Sequence, residues 1–436
     1  MGAGKILCAC ILPVINRQTA TRRRVAPVAC LAMLLLIAAL PAMAEPTAEV
    51  LHWWTSGGEA RALKVIADHF TAAGGRWIDD PIAGGGGDAA RTVAKTRILG
   101  GKPPTVMQWH LGLSLRQLAE AGQLGDVDEV ARDGNWDNVL PPLLVANAKI
   151  AGHYVAIPVD IHGENWLWTS KKVFDAAGVA VPRSWPEFND AAAKIRAAGF
   201  IPLSLGGQGW QQVIVFSAVA LGIGGPEFYR QAFIALDPKA LGGVTMVAVF
   251  AELRLIKGML DPGGSNRDWN EATSQVIAGK AAMQLMGDWA KGEFVAAGLA
   301  PGRDFGCDPS PGAGTAYVVA ADALAVPKIA DAARRQGQLL MARVAMDPAV
   351  QRDFSLAKGS VPARNDIAPD QFDACARKAM ATIRDSADLL PAIGSSMGIG
   401  AAEAGAITDA VSLFFARDMT PEDGVKALAD AVAGSR

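Results

Sequence analysis

Early in the chain stands Trp53-Trp54-Thr55-Ser56-Gly57-Gly58-Glu59, two indoles followed at once by two hydroxyls, two glycines and a carboxylate. These are the groups a sugar asks for. A pyranose offers an apolar C–H face that stacks on indole, and a rim of hydroxyls that donate to and accept from carboxylates, amides and ammonium groups. Neighbouring side chains in a strand point to opposite faces, so one tryptophan is expected in the core and the other free for a ligand, unless the chain leaves the strand at Trp54. Glu59 has a competing role of equal weight: it stands three residues after Ser56, the spacing of a helix capping box.

The same combination recurs at Gln108 and His110, and again at Asp160, His162 and Trp166. Lone histidines more often satisfy structural hydrogen bonds than ligands, and Trp136 and Trp185 read as packing residues. Other chemistries fit less well. The run AGGGGDAAR lacks the Gly-Lys-Ser/Thr ending of a phosphate loop and reads as a turn into a helix. Asp79 and Asp80 are adjacent and point apart in a strand, whereas a retaining glycosidase needs two carboxylates about 5 Å apart across the bond it cuts. No local motif marks a Ser/His/Asp or Cys/His nucleophile.

Strand and helix patterns alternate around these residues. EVLHWW, RWIDDPIAG and PPTVMQW read as strands, with helices SGGEARALKVIADHF and DAARTVAKTRIL between them. That alternation predicts an α/β lobe with a largely parallel sheet, and in such sheets ligands gather outside the carboxyl ends of the strands. A long extended stretch, YVAIPVDIHGENWLW, runs through Pro158 without a clear turn and leads into a second set of helices and a short strand, IPLSL. Residues 228–298 read as mainly helical, and GTAYVVAADALAVP as a further strand. No repeat is visible.

The chain has 436 residues, and 51% are hydrophobic, enough for more than one core. Arg22, Arg23 and Arg24 precede the apolar run LAMLLLIAAL and a small-residue site ending at Ala44, which predicts a secretory signal over residues 1–44. Cys30 precedes the apolar run, which disfavours a lipid anchor there, and the arginines lack the rest of a twin-arginine signal. The leader holds Lys5, Arg17, Arg22, Arg23 and Arg24 and no acid. Its removal takes the whole-chain balance of −2 to about −7, which disfavours nucleic-acid binding. VIVFSAVALGIGG is too short to span a bilayer. Of five cysteines only Cys307 and Cys375 follow the leader, and an exported chain with one pair is expected to join them.

Several stretches together resemble the periplasmic solute-binding proteins of ATP-driven sugar importers, and among them the glucose-binding branch. They are LHWWTSGGEARALKVI, PIAGGGG, GPEFYRQAFIALDPKALG, NRDWNEAT, GKAAMQLMGDWAKGEF and KGSVPARND. The resemblance runs over nearly all of the chain after the leader. It implies that Trp53, Trp54 and Glu59 form a first-lobe sugar contact, with Lys95, Gln108 and His110 beside them. It further implies Trp269 as a stacking platform, Asp288 as a hydroxyl acceptor and Lys358 as a donor to sugar oxygens. Two departures put glucose itself in question. Ile399 stands where glucose-binding relatives carry a histidine, and Asp160 where many carry asparagine.

The expected protein is therefore a two-lobe α/β binding protein with a ligand cleft between lobes joined by several hinge crossings. Residues 45–158 with about 313–362 would form one lobe, and 159–312 with about 363–436 the other, hinged near Pro158 and Gly312. It would capture a monosaccharide or short oligosaccharide in the periplasm as a monomer and deliver it to an inner-membrane ABC permease. No catalysis, cofactor or metal is expected. The competing readings are an exported carbohydrate-active enzyme and a sugar sensor that presents its closed form to a receptor.

Overall fold

The computed structural model describes residues 45–265 and 267–436; the expected leader, residues 1–44, lies outside the described residues. Strand β1 (Thr47–His52) is followed by β2 (Arg76–Pro81), β3 (Val106–His110), the small hairpin β4 (Lys149–Ile150) and β5 (His153–Tyr154), then β6 (Ala156–Gly163) and β7 (Trp166–Ser170). After these come β8 (Ile201–Leu203), β9 (Ala281–Met286), β10 (Phe305–Pro309), β11 (Tyr317–Ala325), β12 (Val361–Pro362) and β13 (Leu389–Pro391).

The large sheet has the order β12-β6-β11-β3-β1-β2, with β13 on β11, and the smaller sheet the order β10-β7-β9-β8. β1 pairs in parallel with β2 and β3, as the alternation of strands and helices requires. The expectation of a largely parallel sheet fails beyond them. β11 is antiparallel to β3 and β6, and β12 is antiparallel to β6. β11 enters the large sheet directly from the end of β10, with no crossover helix to return the chain to its starting end.

The second correction is β9, which lies in the stretch expected to be mainly helical. All six of its residues, Ala-Ala-Met-Gln-Leu-Met, are buried. A strand covered on both faces shows no alternation, and these residue types favour helix, so pattern alone reads the segment the wrong way.

The extended stretch through Pro158 is one path through both sheets. Pro158 lies inside β6, opposite Ala323, and the chain leaves the large sheet for the smaller one at Glu164 and Asn165, beyond the proline. The Asn165 side chain pins the crossing: its amide N–H donates to the Ala316 carbonyl at 3.0 Å, and its oxygen accepts from the Val318 N–H at 2.9 Å. A second crossing, from β10 to β11, contains Gly312.

Buried apolar side chains form two clusters, one around the large sheet and one around the smaller sheet and the helices Gly209–Phe233, Val244–Lys257 and Ala401–Ala416. Gly209–Phe233 contains the apolar run judged too short for a membrane. The helix as a whole is long and apolar enough for a span, but it is interrupted at Gly225, followed by Pro226, and most of it is buried. Cys307 on β10 and Cys375 on the helix Ala374–Asp385 form the expected disulfide.

Candidate functional site

The strand-end rule leads to one cavity of about 220 Å³, and five indoles line it: Trp53, Trp54, Trp210, Trp269 and Trp289. Trp53 and Trp54 follow β1, and both are buried. Both reach the pocket, so neither is left to the core alone. The backbone does not keep them in strand geometry: β1 ends at His52, and the Trp53 N–H donates to Gln108 Oε1 at 2.9 Å instead of to a neighbouring strand.

The glycine run has a defined use beneath these rings. It forms a short turn before the helix Asp88–Leu99, and a Cβ on Gly87 would lie 2.6 Å from the Trp53 ring. Gly87 also has a φ of 78°, so two independent constraints demand glycine there.

Glu59 performs both roles weighed from the sequence. It completes a capping box with Ser56 on the helix Gly57–Ala72, and its Oε1 accepts from Lys358 Nζ at 3.2 Å. Lys358, at the end of the helix Pro348–Lys358, is buried, and its ammonium lies 6.0 Å from the Trp54 ring centre and 5.7 Å from that of Trp289. Burial lowers the Lys358 pKa, but Glu59, Asp322 and Asp160 outweigh it and hold the group above the ordinary lysine value.

His162 on β6 is the centre of the polar floor. Nδ1 donates to Asp288 Oδ1 at 2.5 Å and Nε2 to Asp322 Oδ2 at 3.2 Å, with Asp160 Oδ2 3.1 Å from Nε2. Burial opposes its charge, but Asp160 and Asp288 more than overcome this and raise its pKa well above the usual value. Its ring meets Trp289 edge-on. His110 behaves oppositely. Burial, resisted by Asp322 and reinforced by Arg91, lowers it to about 4, so it is neutral at pH 7. Its Nε2 lies 3.4 Å from Asp322 Oδ1.

Trp53, Trp54, Glu59, His110, His162, Trp269 and Lys358 therefore all reach the pocket wall. Gln108, Asp160 and Asp288 stand behind it. Gln108 joins Trp53 to Asp322, donating to Asp322 Oδ1 at 3.2 Å. Asp288 fixes His162 and also accepts from the Gly163 N–H at 3.0 Å. Asp160 is fully buried opposite Asp322 across β6 and β11.

Lys95 is a correction. Ala90 and Ala94 are the inward residues of its helix; Lys95, one step on, turns away into solvent over the Trp109 ring. Ile399 is another. It is packed in the second core cluster and does not line the cavity. Asp79 and Asp80 are absorbed by His52 and Arg97 respectively, as befits adjacent strand residues that point apart.

Among the lining residues not singled out from the sequence are Trp210, Trp289, Asp322 and Glu164. Asp322 is the one acidic residue within the apolar β11, a signal that a buried charge needs partners. Glu164 lies within the extended stretch already noted. Trp289 follows Asp288 directly in the quoted GDW segment.

Residues 56–335 match the family model for bacterial extracellular solute-binding proteins, and the chain belongs to that family. It is 42% identical over 398 residues to a protein of Brucella melitensis described as a probable sugar-binding periplasmic protein, covering 91% of this chain and 94% of that one. A protein of Rhizobium meliloti with the same description is 41% identical, with 92% and 97% covered. Among solved structures, the solute receptor AcbH, described as preferring β-D-galactopyranose, has a TM-score of 0.77 at 17% identity, covering 89% of this chain and 99% of that one. A chitin oligosaccharide binding protein has a TM-score of 0.76 at 17% identity, with 89% and 98% covered. These likenesses bear on the fold, the two-lobe α/β architecture of periplasmic binding proteins.

Proposed function

We propose that the protein captures a monosaccharide in the periplasm and presents it to an ABC-type permease, and that the tryptophan-walled cavity is the sugar site. The observation that carries this reading is the joining of five indoles with buried hydrogen-bonding groups around one small space. Stacking faces alone would suit any flat apolar ligand, and buried polar groups alone any polar one. Both together suit a ring with an apolar face and a polar rim. At about 220 Å³ the cavity falls below the usual ligand-pocket range of about 300 to 1,000 Å³, which favours one sugar ring over a chain of them.

Two lobes would close on the sugar by bending at the crossings between the sheets. Glu164 and Asn165 form one crossing, and the segment around Gly312 another. On this reading the first lobe boundary falls a few residues beyond Pro158, at the first of these crossings. Micromolar capture needs about 8 kcal/mol, a large return from roughly a dozen heavy atoms, so the ligand must be nearly enclosed. The names of the relatives add support for a sugar and a periplasmic site. The closed, loaded form would be the one a permease recognises, with the protein acting as a monomer.

A thermal-shift panel of hexoses, pentoses, disaccharides and sugar acids tests the reading. A true ligand at 100 times its Kd stabilises by about 2.7 kcal/mol. Trp269→Ala should abolish the shift; an undiminished response removes Trp269 from the site. The enzyme reading predicts turnover of aryl glycosides, and the binding reading predicts none.

A further inference from the structure

The cavity and its polar floor hold more negative charge than their own cations balance. Glu59, Asp160, Asp288 and Asp322 are buried carboxylates, and the buried cations among them are Lys358 and His162. His162 counts as a cation on geometry: each ring nitrogen faces a carboxylate oxygen, so each must carry a hydrogen. Arg91, at the edge of the site, is committed to Asp88 at 2.5 Å. Four carboxylates thus share two cations, in a setting where buried charge is unfavourable unless balanced.

Glu164 adds a fifth carboxyl. It stands at the crossing between the sheets, is 6% exposed, and lines the cavity. Its backbone N–H is used by Val318, but its carboxyl forms no hydrogen bond with protein among the described residues. The indoles that line the same cavity are themselves suited to cations.

We propose that the natural ligand is a sugar bearing a protonated amino group, and that Glu164 is the carboxylate that receives this ammonium. The proposal rests on the sugar reading above and names the substrate class for that site. In the empty pocket, burial pushes Glu164 up to about 8, against His162 and with Asp288 and Asp322. The other titratable group facing it, Tyr229, is raised by burial and donates its hydroxyl to the Pro391 carbonyl. At neutral pH Glu164 is therefore mostly the neutral acid. An arriving ammonium favours the ionised form: the carboxyl O–H bond breaks, its proton passes to buffer, and the ammonium N–H donates to the new carboxylate. Binding and proton release are coupled.

Calorimetric titration of the mature protein with glucosamine, galactosamine and mannosamine, each beside its neutral hexose and its N-acetyl derivative, tests this. One amino sugar should bind at least about tenfold more tightly at pH 7 than its two uncharged counterparts. Its apparent enthalpy should change with the ionisation enthalpy of the buffer, the mark of a released proton. Glu164→Gln should remove both the preference and the buffer dependence. A neutral hexose that binds as tightly as every amino sugar overturns the proposal and leaves the sugar reading intact; failure of the whole panel removes both. The wild-type panel decides the preference even if the variant does not fold. Asp160, His162 and Asp322 also place one ligand-type atom each within 4.8 Å of one another. Stoichiometric divalent metal in the purified protein would account for the missing positive charge and overturn the proposal as well.

Discussion

Single residues show why this pocket is expensive to keep empty. Glu164 holds its proton in the fold until about pH 8, whereas in the unfolded chain it releases it near 4.5. Between those values the unfolded state binds fewer protons, so stability falls as pH rises through that window. Glu164→Gln should therefore raise the stability of the empty protein by about 1 to 3 kcal/mol at pH 7 and flatten its dependence on pH. Chemical denaturation at pH 5 and pH 7.5 reads the effect, and an unchanged slope contradicts it. His110 has the opposite sign: its lowered pKa gives stability above about 6.5 that is lost as pH falls toward 4. Of the candidate residues, those at strand ends were legible because the end of a strand in an α/β sheet is where ligands gather. Trp210 and Trp289 were not. They approach the site from the starts of the helices Gly209–Phe233 and Ala290–Ala296, which no local pattern marks as neighbours of β1.

At the scale of elements, alternation of strand and helix exposed β1, β2, β3 and the helices between them, because each such helix has an inward and an outward face. β9 was illegible because it is buried on both sides. The path from β6 to β7 was legible as one extended stretch, but its crossing point was not. Pro158 suggested a break, yet the sheet accepts it beside a register irregularity between Asp322 and Ala323, where β11 faces β6. The true crossing depends on Asn165, which serves both a carbonyl and an N–H across the gap. Asn165→Ala leaves both groups unsatisfied where they are buried and should cost about 1 to 3 kcal/mol, read as a lower denaturation midpoint with an unchanged slope. A loss under half a kcal/mol would mean that the crossing is held elsewhere.

The whole molecule depends on two sheets being joined by short crossings and stapled from outside. The disulfide between Cys307 and Cys375 closes a segment of 68 residues that contains β11 and β12, so it links β10 of the smaller sheet to a helix reached only after the chain has revisited the large one. Reduction should cost about 2 to 4 kcal/mol, measured as a drop in the unfolding midpoint, without abolishing binding, since neither cysteine lines the cavity. The two-lobe plan itself followed from the resemblance of many short segments taken together, more than from any one motif. The central claim is that five indoles enclose one sugar. Intrinsic tryptophan fluorescence of the mature protein, titrated with the monosaccharide panel, tests it most directly. The account predicts a saturable change for one sugar at 1:1 stoichiometry, lost in Trp269→Ala; unchanged emission across every sugar, with each indole already shielded from solvent quencher, would contradict it.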